Sequence, residues 1–314
     1  MDIAIIGYAR DGQAGLHYWK SQGANVTVCD QRLDIVVPSG VATKLGPDHL
    51  KGLGSFDLIV RTSGLNPKLI TEKNPGTEGR ITTVINEFLR VCPTKNVIGI
   101  TGTKGKSTAS TLIARMLEAT GKHVVLGGNI GIPALELLPE VTPESWVVLE
   151  MSSYQLSDIQ YSPHIGVCLM MAPEHLNWHD DLEDYIDAKK HMFTYQKPND
   201  IAIYYADNET SHAIASVSPG KKIPYCSEPG AYIEDAKIII DLQEICSVNE
   251  LKLLGKHNQQ NACAAVTAVW QVVKDAAAVR SVLTTFTGLP HRLDLVRDVD
   301  GVHYYNDSFA SAPP

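Results

Sequence analysis

At 314 residues the chain exceeds one ordinary compact unit, so two domains are the first expectation. Its composition, 44% hydrophobic and 20% charged, is that of an ordinary soluble globular protein with apolar residues enough for sizeable cores. A formal net charge of −8 argues against a general nucleic-acid binder, whose affinity rests on clustered Lys and Arg, but leaves room for a local cationic pocket. The cysteines (Cys29, Cys92, Cys168, Cys226, Cys246, Cys263) form no C-x-x-C pair, which fits reduced thiols rather than a disulfide framework or a zinc site. No apolar run reaches bilayer-spanning length and no basic leader precedes Asp2-Ile-Ala-Ile-Ile, so a cytoplasmic location without membrane association is expected.

The first ninety or so residues alternate strand and helix. Ile3–Ile6 is predicted as a buried strand, Gly7–Gly15 as a glycine-rich turn, Ala14–Gln22 as a helix and Val26–Cys29 as a strand ending at Asp30. A further apolar run, Phe56–Val60, ends at Thr62-Ser63-Gly64. Such βαβ order predicts a parallel sheet covered by helices. The Gly7, Gly12 and Gly15 turn matches a dinucleotide fingerprint only loosely, because four residues separate its first two glycines where G-x-G-x-x-G has one. Asp30 stands where a strand-end acid can bind a ribose or a base edge, although a purely structural turn fits equally well.

Around Val91-Cys92-Pro93-Thr94-Lys95 the pattern resets. Strands are predicted at Asn96–Ile100, His123–Leu126, Trp146–Glu150, Ile165–Met170 and Ile201–Tyr205, and helices at Lys106–Ala119, Asn258–Lys274 and Ala276–Phe286. Boundaries near residue 92 and near Gly288-Leu289-Pro290 divide the chain into 1–91, 92–289 and 290–314. The last piece, with strands expected at Leu293–Val296 and Val302–Tyr305, is too short for a domain and is expected to be the opening of one.

The strongest local signal is Thr101-Gly102-Thr103-Lys104-Gly105-Lys106-Ser107-Thr108, between a predicted strand and a predicted helix. Glycines let backbone N–H groups turn inward around phosphate oxygens, and the helix N-terminus adds partial positive charge. Lys106 can neutralise β/γ-phosphate charge and the Ser107 hydroxyl can ligate Mg²⁺. The general P-loop places a glycine at the position of Ile100, so this loop is a shortened variant with Gly102 as its first glycine.

Glu150 ends an apolar strand, where an acid can complete a Mg²⁺ shell beside a P-loop or can simply face water. Pro173-Glu174-His175-Leu176-Asn177-Trp178-His179-Asp180-Asp181 follows the strand predicted at Ile165–Met170 and should reach the same sheet edge. His175 and His179 lack a third ligand at zinc spacing, and spacing alone leaves His175 undecided as a Mg²⁺ ligand. On its residues alone, Lys189 in a predicted helix reads as a solvated lysine.

In order, TGTKGKST, GGNIGIP, EMSSYQL, EHLNWH, YIDAKKHMF, LLGKHNQQNACAA, GLPHRLD and YYNDSFAS resemble the Mur ligases along essentially the whole chain. The E-x-S-S-Y-Q-L string and a domain preceding the P-loop resemble that family's D-glutamate-adding branch. The resemblance implies an α/β fold with a Rossmann-like N-terminal domain that binds a UDP substrate, a P-loop central domain and the start of a third domain. It also implies ATP-dependent addition of D-glutamate to UDP-N-acetylmuramoyl-L-alanine through an acyl phosphate.

By the same resemblance, Gly102, Thr103, Lys104, Gly105, Lys106, Ser107 and Thr108 bind ATP phosphates, with Lys106 catalytic. Asn258 and Asn261 fall in the adenine and ribose region, Arg292 reaches the phosphates, and Asp307 contacts ATP. Ser107 and Glu150 are implied to hold one Mg²⁺, while His175 and a carbamylated Lys189 hold a second. Asp30, Ser63, Gly64 and Asn129 are implied to bind the UDP substrate.

The family's D-H-x-D reads Glu174-His175-Leu176-Asn177 here, its S-P-G reads Thr62-Ser63-Gly64, and Phe309 replaces a common lysine. A monomer is expected, and a chain stopping here is expected to bind substrate but to ligate poorly. The rival expectations are a non-catalytic UDP-sugar or nucleotide module and a ligase adding another amino acid. A dehydrogenase is disfavoured by the P-loop and by the Gly7–Gly12 spacing.

Overall fold

The computed structural model describes residues 1–175, 177–292 and 294–308. Leu176, Leu293 at the start of the strand expected at Leu293–Val296, and residues 309–314 with Phe309 lie outside the described residues.

The first sheet is built from β1 (Asp2–Ile6), α1 (Arg10–Ser21), β2 (Asn25–Asp30), β3 (Ala42–Leu45), β4 (Leu58–Arg61), α2 (Lys68–Lys73), β5 (Ile81–Thr82) and α3 (Val84–Val91). Its strand order is β3-β2-β1-β4-β5, all parallel. Strands buried on both faces read as unbroken apolar runs, as in Ile3–Ile6, where every residue is buried. The strand order reverses at β1, so the segments after β1 and β4 meet at one crevice, the usual place for a ligand in an open α/β sheet.

A second sheet follows: β6 (Val97–Thr101), α4 (Lys106–Ala119), β7 (Val124–Gly128), β8 (Trp146–Glu150), α5 (Ser153–Leu156), β9 (Ile165–Cys168), α6 (Leu182–Thr194), β10 (Ile201–Tyr205), α7 (Glu209–Ser216) and β11 (Lys221–Tyr225). Its order, β11-β10-β9-β6-β8-β7, is parallel throughout and puts β6 between β9 and β8. One apolar cluster runs from Ile3, Val28 and Phe88 of the first layer to Leu149, Tyr185 and Phe193 of the second.

An antiparallel sheet of β12 (Tyr232–Glu234), β13 (Lys237–Ile240) and β14 (Gln243–Ser247) comes next. It is followed by α8 (Lys256–Trp270) and α9 (Ala276–Thr285), which pack with α4 into a second core containing Leu112, Met116, Val266 and Leu283. The described chain closes with the hairpin β15 (Asp294–Val299) and β16 (Val302–Asn306). Among the described residues, no helix is long and apolar enough to cross a membrane.

The glycine-rich turn expected over Gly7–Gly15 is shorter than that, because α1 starts at Arg10 and contains both Gly12 and Gly15. Close packing is the reason. A Cβ on Gly12 would stand 2.0 Å from the Gly7 carbonyl oxygen, and one on Gly15 would meet the Trp19 ring at 3.0 Å. Gly12→Ala is therefore expected to destabilise the fold by roughly 1–3 kcal/mol in urea unfolding, as overpacking does. Gly54→Ala, at a position with nothing within 4 Å of the added Cβ, should fall well below that. Equal effects would contradict the packing argument.

Candidate nucleotide and metal site

The loop after β6 is fixed by what its neighbours leave room for. Register places Ile100 beside Glu150 and Thr101 beside Cys168 at the C-terminal edge of the second sheet. Gly102 (φ +150°) turns against the residue that follows β9, where a Cβ would stand 2.6 Å from Leu169 Cβ. Gly105 (φ +86°) turns against α8, where a Cβ would stand 2.3 Å from Asn261 Oδ1. Both positions require glycine for conformation and for space. The Thr103 hydroxyl donates to the Ala172 carbonyl at 2.9 Å, lies 2.9 Å from the Tyr185 hydroxyl, and locks the loop to the segment after β9.

Lys106 opens α4, and its Nζ donates to the carbonyls of Gly102 (3.0 Å) and Thr103 (2.9 Å). Burial pushes the Lys106 ammonium towards its neutral form, opposed by the nearby charges of Glu150 and Glu174. Lys104 is exposed, whereas Ser107 and Thr108 are buried in the first turn of α4. Asn258 and Asn261 enter from α8, with Asn261 Nδ2 donating to Asn258 Oδ1 at 3.1 Å. Arg292 Nη2 lies 3.5 Å from the Ser107 hydroxyl. Asp307, one residue past β16, is exposed.

Glu150 ends β8 and is 2% exposed, so the reading of a strand-end acid facing water is overturned. Its Oε1 accepts from Asn129 Nδ2 at 2.7 Å, and its backbone carbonyl accepts from the Asn129 N–H at 2.9 Å. Oε2 is buried with no hydrogen-bond partner among the described residues. A carboxylate oxygen in that state is costly, and it suits a site built to receive a cation.

Lys189 is buried as well, at 1% exposure, which corrects the solvated-lysine reading. Its Nζ donates to Thr101 Oγ1 (3.2 Å) and to the Gly102 carbonyl (3.1 Å), and it sits 4.8 Å from the Tyr185 ring centroid. Desolvation first, and then the charge of Lys106, lowers its pKa to about 7. A signal for this burial was present in the sequence. Tyr185, Ala188, Lys189, Met192 and Phe193 are the buried residues of α6 and form one i, i+3, i+4, i+7, i+8 stripe, so Lys189 lies on the apolar face.

His175 adopts φ +60° and lies 3.4 Å from the Glu174 carboxylate. Burial lowers its pKa, and the charges of Lys106 and Lys189 push the same way. His179 is committed elsewhere: Nδ1 pairs with Asp184 Oδ2 at 2.9 Å and Nε2 with Ser153 Oγ at 3.0 Å. This Ser–His–Asp chain has the connectivity of a hydrolase triad. Ser153 and His179 are each only 2% exposed, so the chain braces α5 against α6 rather than facing a cleft.

Between the two parallel sheets lies a narrow polar cleft of about 110 Å³, lined by Arg10, Asp11, Ser63, Asn129 and Gln155 among others. Ser63 and Asn129 were singled out from the sequence, whereas Arg10, Asp11 and Gln155 were not. Burial raises the pKa of the Asp11 carboxyl, against the bond it accepts from the Ser63 hydroxyl at 3.2 Å. Asp30 does not line the cleft. It accepts from the Tyr8 N–H (2.7 Å) and from the Arg32 guanidinium, whose hydrogen bond holds its pKa down to about 2. The Gly64 carbonyl accepts from Trp178 Nε1 at 2.9 Å.

A P-loop-like turn after an inner strand of one parallel sheet, with a polar cleft between that sheet and a second, defines a two-layered P-loop α/β class. Residues 100–269 match the Mur ligase middle domain family. The chain is 34% identical to the UDP-N-acetylmuramoylalanine--D-glutamate ligase of Clostridium novyi (strain NT) over 99% of its own length and 70% of that relative. It is 36% identical to the ligase of the same name from Symbiobacterium thermophilum, over 99% of this chain and 72% of that one. The structure superposes on UDP-N-acetylmuramate:L-alanyl-gamma-D-glutamyl-meso-diaminopimelate ligase from Neisseria meningitides with a TM-score of 0.64, covering 92% of this chain and 98% of that one. At 18% identity that likeness speaks to the fold alone. The chain belongs to the Mur ligase family.

The buried amine of Lys189 makes stability depend on pH. Its pKa is about 7 in the fold against an ordinary 10.5, so between those values the unfolded chain holds a proton that the folded chain has lost. Stability should therefore rise as pH climbs from about 7 towards 10, and the penalty should be full below 7. Lys189→Met should be the more stable form at pH 7 and should flatten that rise in urea unfolding without CO₂ or metal. Parallel curves for the two forms would contradict the assignment.

Proposed function

We propose that this chain carries the ATP and UDP-sugar sites of a ligase that joins D-glutamate to UDP-N-acetylmuramoyl-L-alanine in peptidoglycan precursor synthesis. The observation that carries the reading is the unpartnered Glu150 Oε2, buried where the charges of Glu150 and Lys106 meet beside the loop. The names of the curated relatives supply the amino acid and the acceptor.

In the proposed reaction, a terminal carboxylate oxygen of the L-alanyl substrate attacks the γ-phosphorus of ATP in line. The bond to the β,γ-bridging oxygen breaks, giving ADP and an acyl phosphate. The D-glutamate amine then attacks the acyl carbon, phosphate leaves, and the amine proton passes to solvent. Backbone N–H groups of Gly102, Lys104 and Gly105, with Lys106, Ser107 and Thr108, hold the phosphates, while the Thr103 N–H is committed to the Met170 carbonyl and braces the loop. The Lys106 ammonium gives two of its three donors to the Gly102 and Thr103 carbonyls, which leaves one to meet a phosphate. Asn258 and Asn261 flank the nucleoside, Arg292 approaches from the linker before the terminal hairpin, and Asp307 from just after it. Asp30, Ser63, Gly64 and Asn129 serve the UDP substrate.

Ser107 and Glu150 are suited to one Mg²⁺, and His175 with a carbamylated Lys189 to another. The metal would neutralise phosphate charge as a carboxylate approaches. An amine that is partly neutral near pH 7 can attack CO₂: the neutral nitrogen forms an N–C bond as one C=O π bond opens, one proton leaves to water, and the side chain becomes an anion. We further propose the division 1–91, 92–289 and 290–314, a monomer, and a cytoplasmic location, with no nucleic-acid partner.

Calorimetry with a non-hydrolysable ATP analogue, with and without Mg²⁺, tests this reading. Glu150→Gln should reduce the Mg²⁺-dependent affinity tenfold or more, at least about 1.4 kcal/mol, while leaving metal-free binding almost unchanged. A variant that binds the Mg²⁺–nucleotide as tightly as the wild type does would sink it.

A further inference from the structure

Arg61 ends β4, and its side chain is 0% exposed, yet its guanidinium is fully engaged with polar partners from two directions. Nη1 donates to the carbonyls of Thr62 (3.3 Å), Ser63 (3.3 Å) and Leu65 (3.0 Å), which form the turn after β4. Nε and Nη2 donate to the two carboxylate oxygens of Asp158 at 2.7 and 2.6 Å. Nη2 also donates to the Tyr154 carbonyl (2.8 Å) and the Ser157 hydroxyl (2.7 Å), in and just after α5. A rigid planar fork can serve acceptors on both sides at once, which a lysine cannot.

Two of the groups that Arg61 holds belong to or adjoin a wall of the cleft. Ser63 is itself a lining residue, and Tyr154 immediately precedes the lining residue Gln155. Asn129, on another wall, is bonded to Glu150. A buried ion pair that only glued the two layers together would need Asp158 alone. Arg61 instead gives donors to the backbone of the very turn that lines the cleft. Asn66 Nδ2 and Trp178 Nε1 add a second tie, donating to the Trp178 carbonyl (3.1 Å) and the Gly64 carbonyl (2.9 Å) respectively.

We infer that Arg61 is a positioning residue that sets the spacing between the Ser63 turn and α5, and so places the UDP-sugar substrate relative to the Glu150–Lys106 phosphate site. The inference rests on the functional reading proposed above, and the test separates the two. The intact chain, Arg61→Lys and Asp158→Asn are titrated calorimetrically with UDP-N-acetylmuramoyl-L-alanine and, separately, with a non-hydrolysable ATP analogue and Mg²⁺. Thermal unfolding is followed for each.

Arg61→Lys should weaken the UDP-sugar probe tenfold or more while changing the nucleotide less than about twofold. Asp158→Asn keeps the guanidinium and its carbonyl bonds, and should give a smaller loss in the same direction. It stands in should Arg61→Lys fail to fold, since Asp158 is partly exposed. If the wild type binds neither probe, the functional reading falls and takes the inference with it. If the wild type binds both and the folded variants bind the UDP-sugar equally well, Arg61 is overturned while the reading stands. Parallel losses for both probes together with a lower melting temperature would make Arg61 a structural brace only, and would also overturn the inference.

Discussion

Lys189 is stripped of water at the C-terminal edge of the second sheet, and the half-buried Lys106 beside it lowers its affinity for a proton further. Glu150 is the buried counter-charge, held on one oxygen by Asn129 and left unmatched on the other. Isolated buried charges are expensive, so an arrangement like this is suited to a ligand that would complete it. The glycines at 102 and 105 let the loop pass between Leu169, just after β9, and α8 into that space. The glycine turns, the desolvated Lys189 beside Lys106 and an unsatisfied carboxylate are therefore aspects of one arrangement. Such an arrangement suits a polyanion and a cation, because its electrostatic groups would not have to be gathered at the moment of reaction.

The second sheet alone does not make the cleft. Ser63 arrives from the first sheet, Gln155 from α5 and Asn129 from the segment after β7, and the same Asn129 is the partner of Glu150. A ligand bound between the layers would thus touch a residue hydrogen-bonded to the proposed metal carboxylate. The segment from His175 to Asp184 reinforces this joint: Trp178 reaches the Gly64 carbonyl, Lys68 pairs with Asp180 and Asp184, and His179 bridges Ser153 and Asp184. Positioning two substrates against one another is worth far more than any single contact, and this joint is where it would be achieved.

What could be read in the sequence was what depends on local pattern. The helix Lys106–Ala119 and the strands Trp146–Glu150 and Ile201–Tyr205 have the predicted ends because apolar runs stop there at charged or turn-forming residues. The sheet β12–β14 was missed. Its two turns place Asp235-Ala236 and Asp241-Leu242 at positive φ, a hairpin geometry that normally announces itself with Asn-Gly or Asp-Gly. Arg61 and Asp158 lie 97 residues apart, and no spacing rule connects an arginine at a strand end to a carboxylate so distant in the chain. Glu150 was legible as a candidate, but its missing partner was not, because an unmet hydrogen bond is a property of the fold rather than of the residue.

The most direct measurement is a crystal structure of the chain with a non-hydrolysable ATP analogue and Mn²⁺, using the metal's anomalous signal. The account predicts phosphates cradled by residues 102–108 and a metal about 2.1 Å from Glu150 Oε2, the distance such hard cations keep from carboxylate oxygen. A nucleotide bound elsewhere, or a metal that leaves Glu150 Oε2 unpartnered, would contradict it.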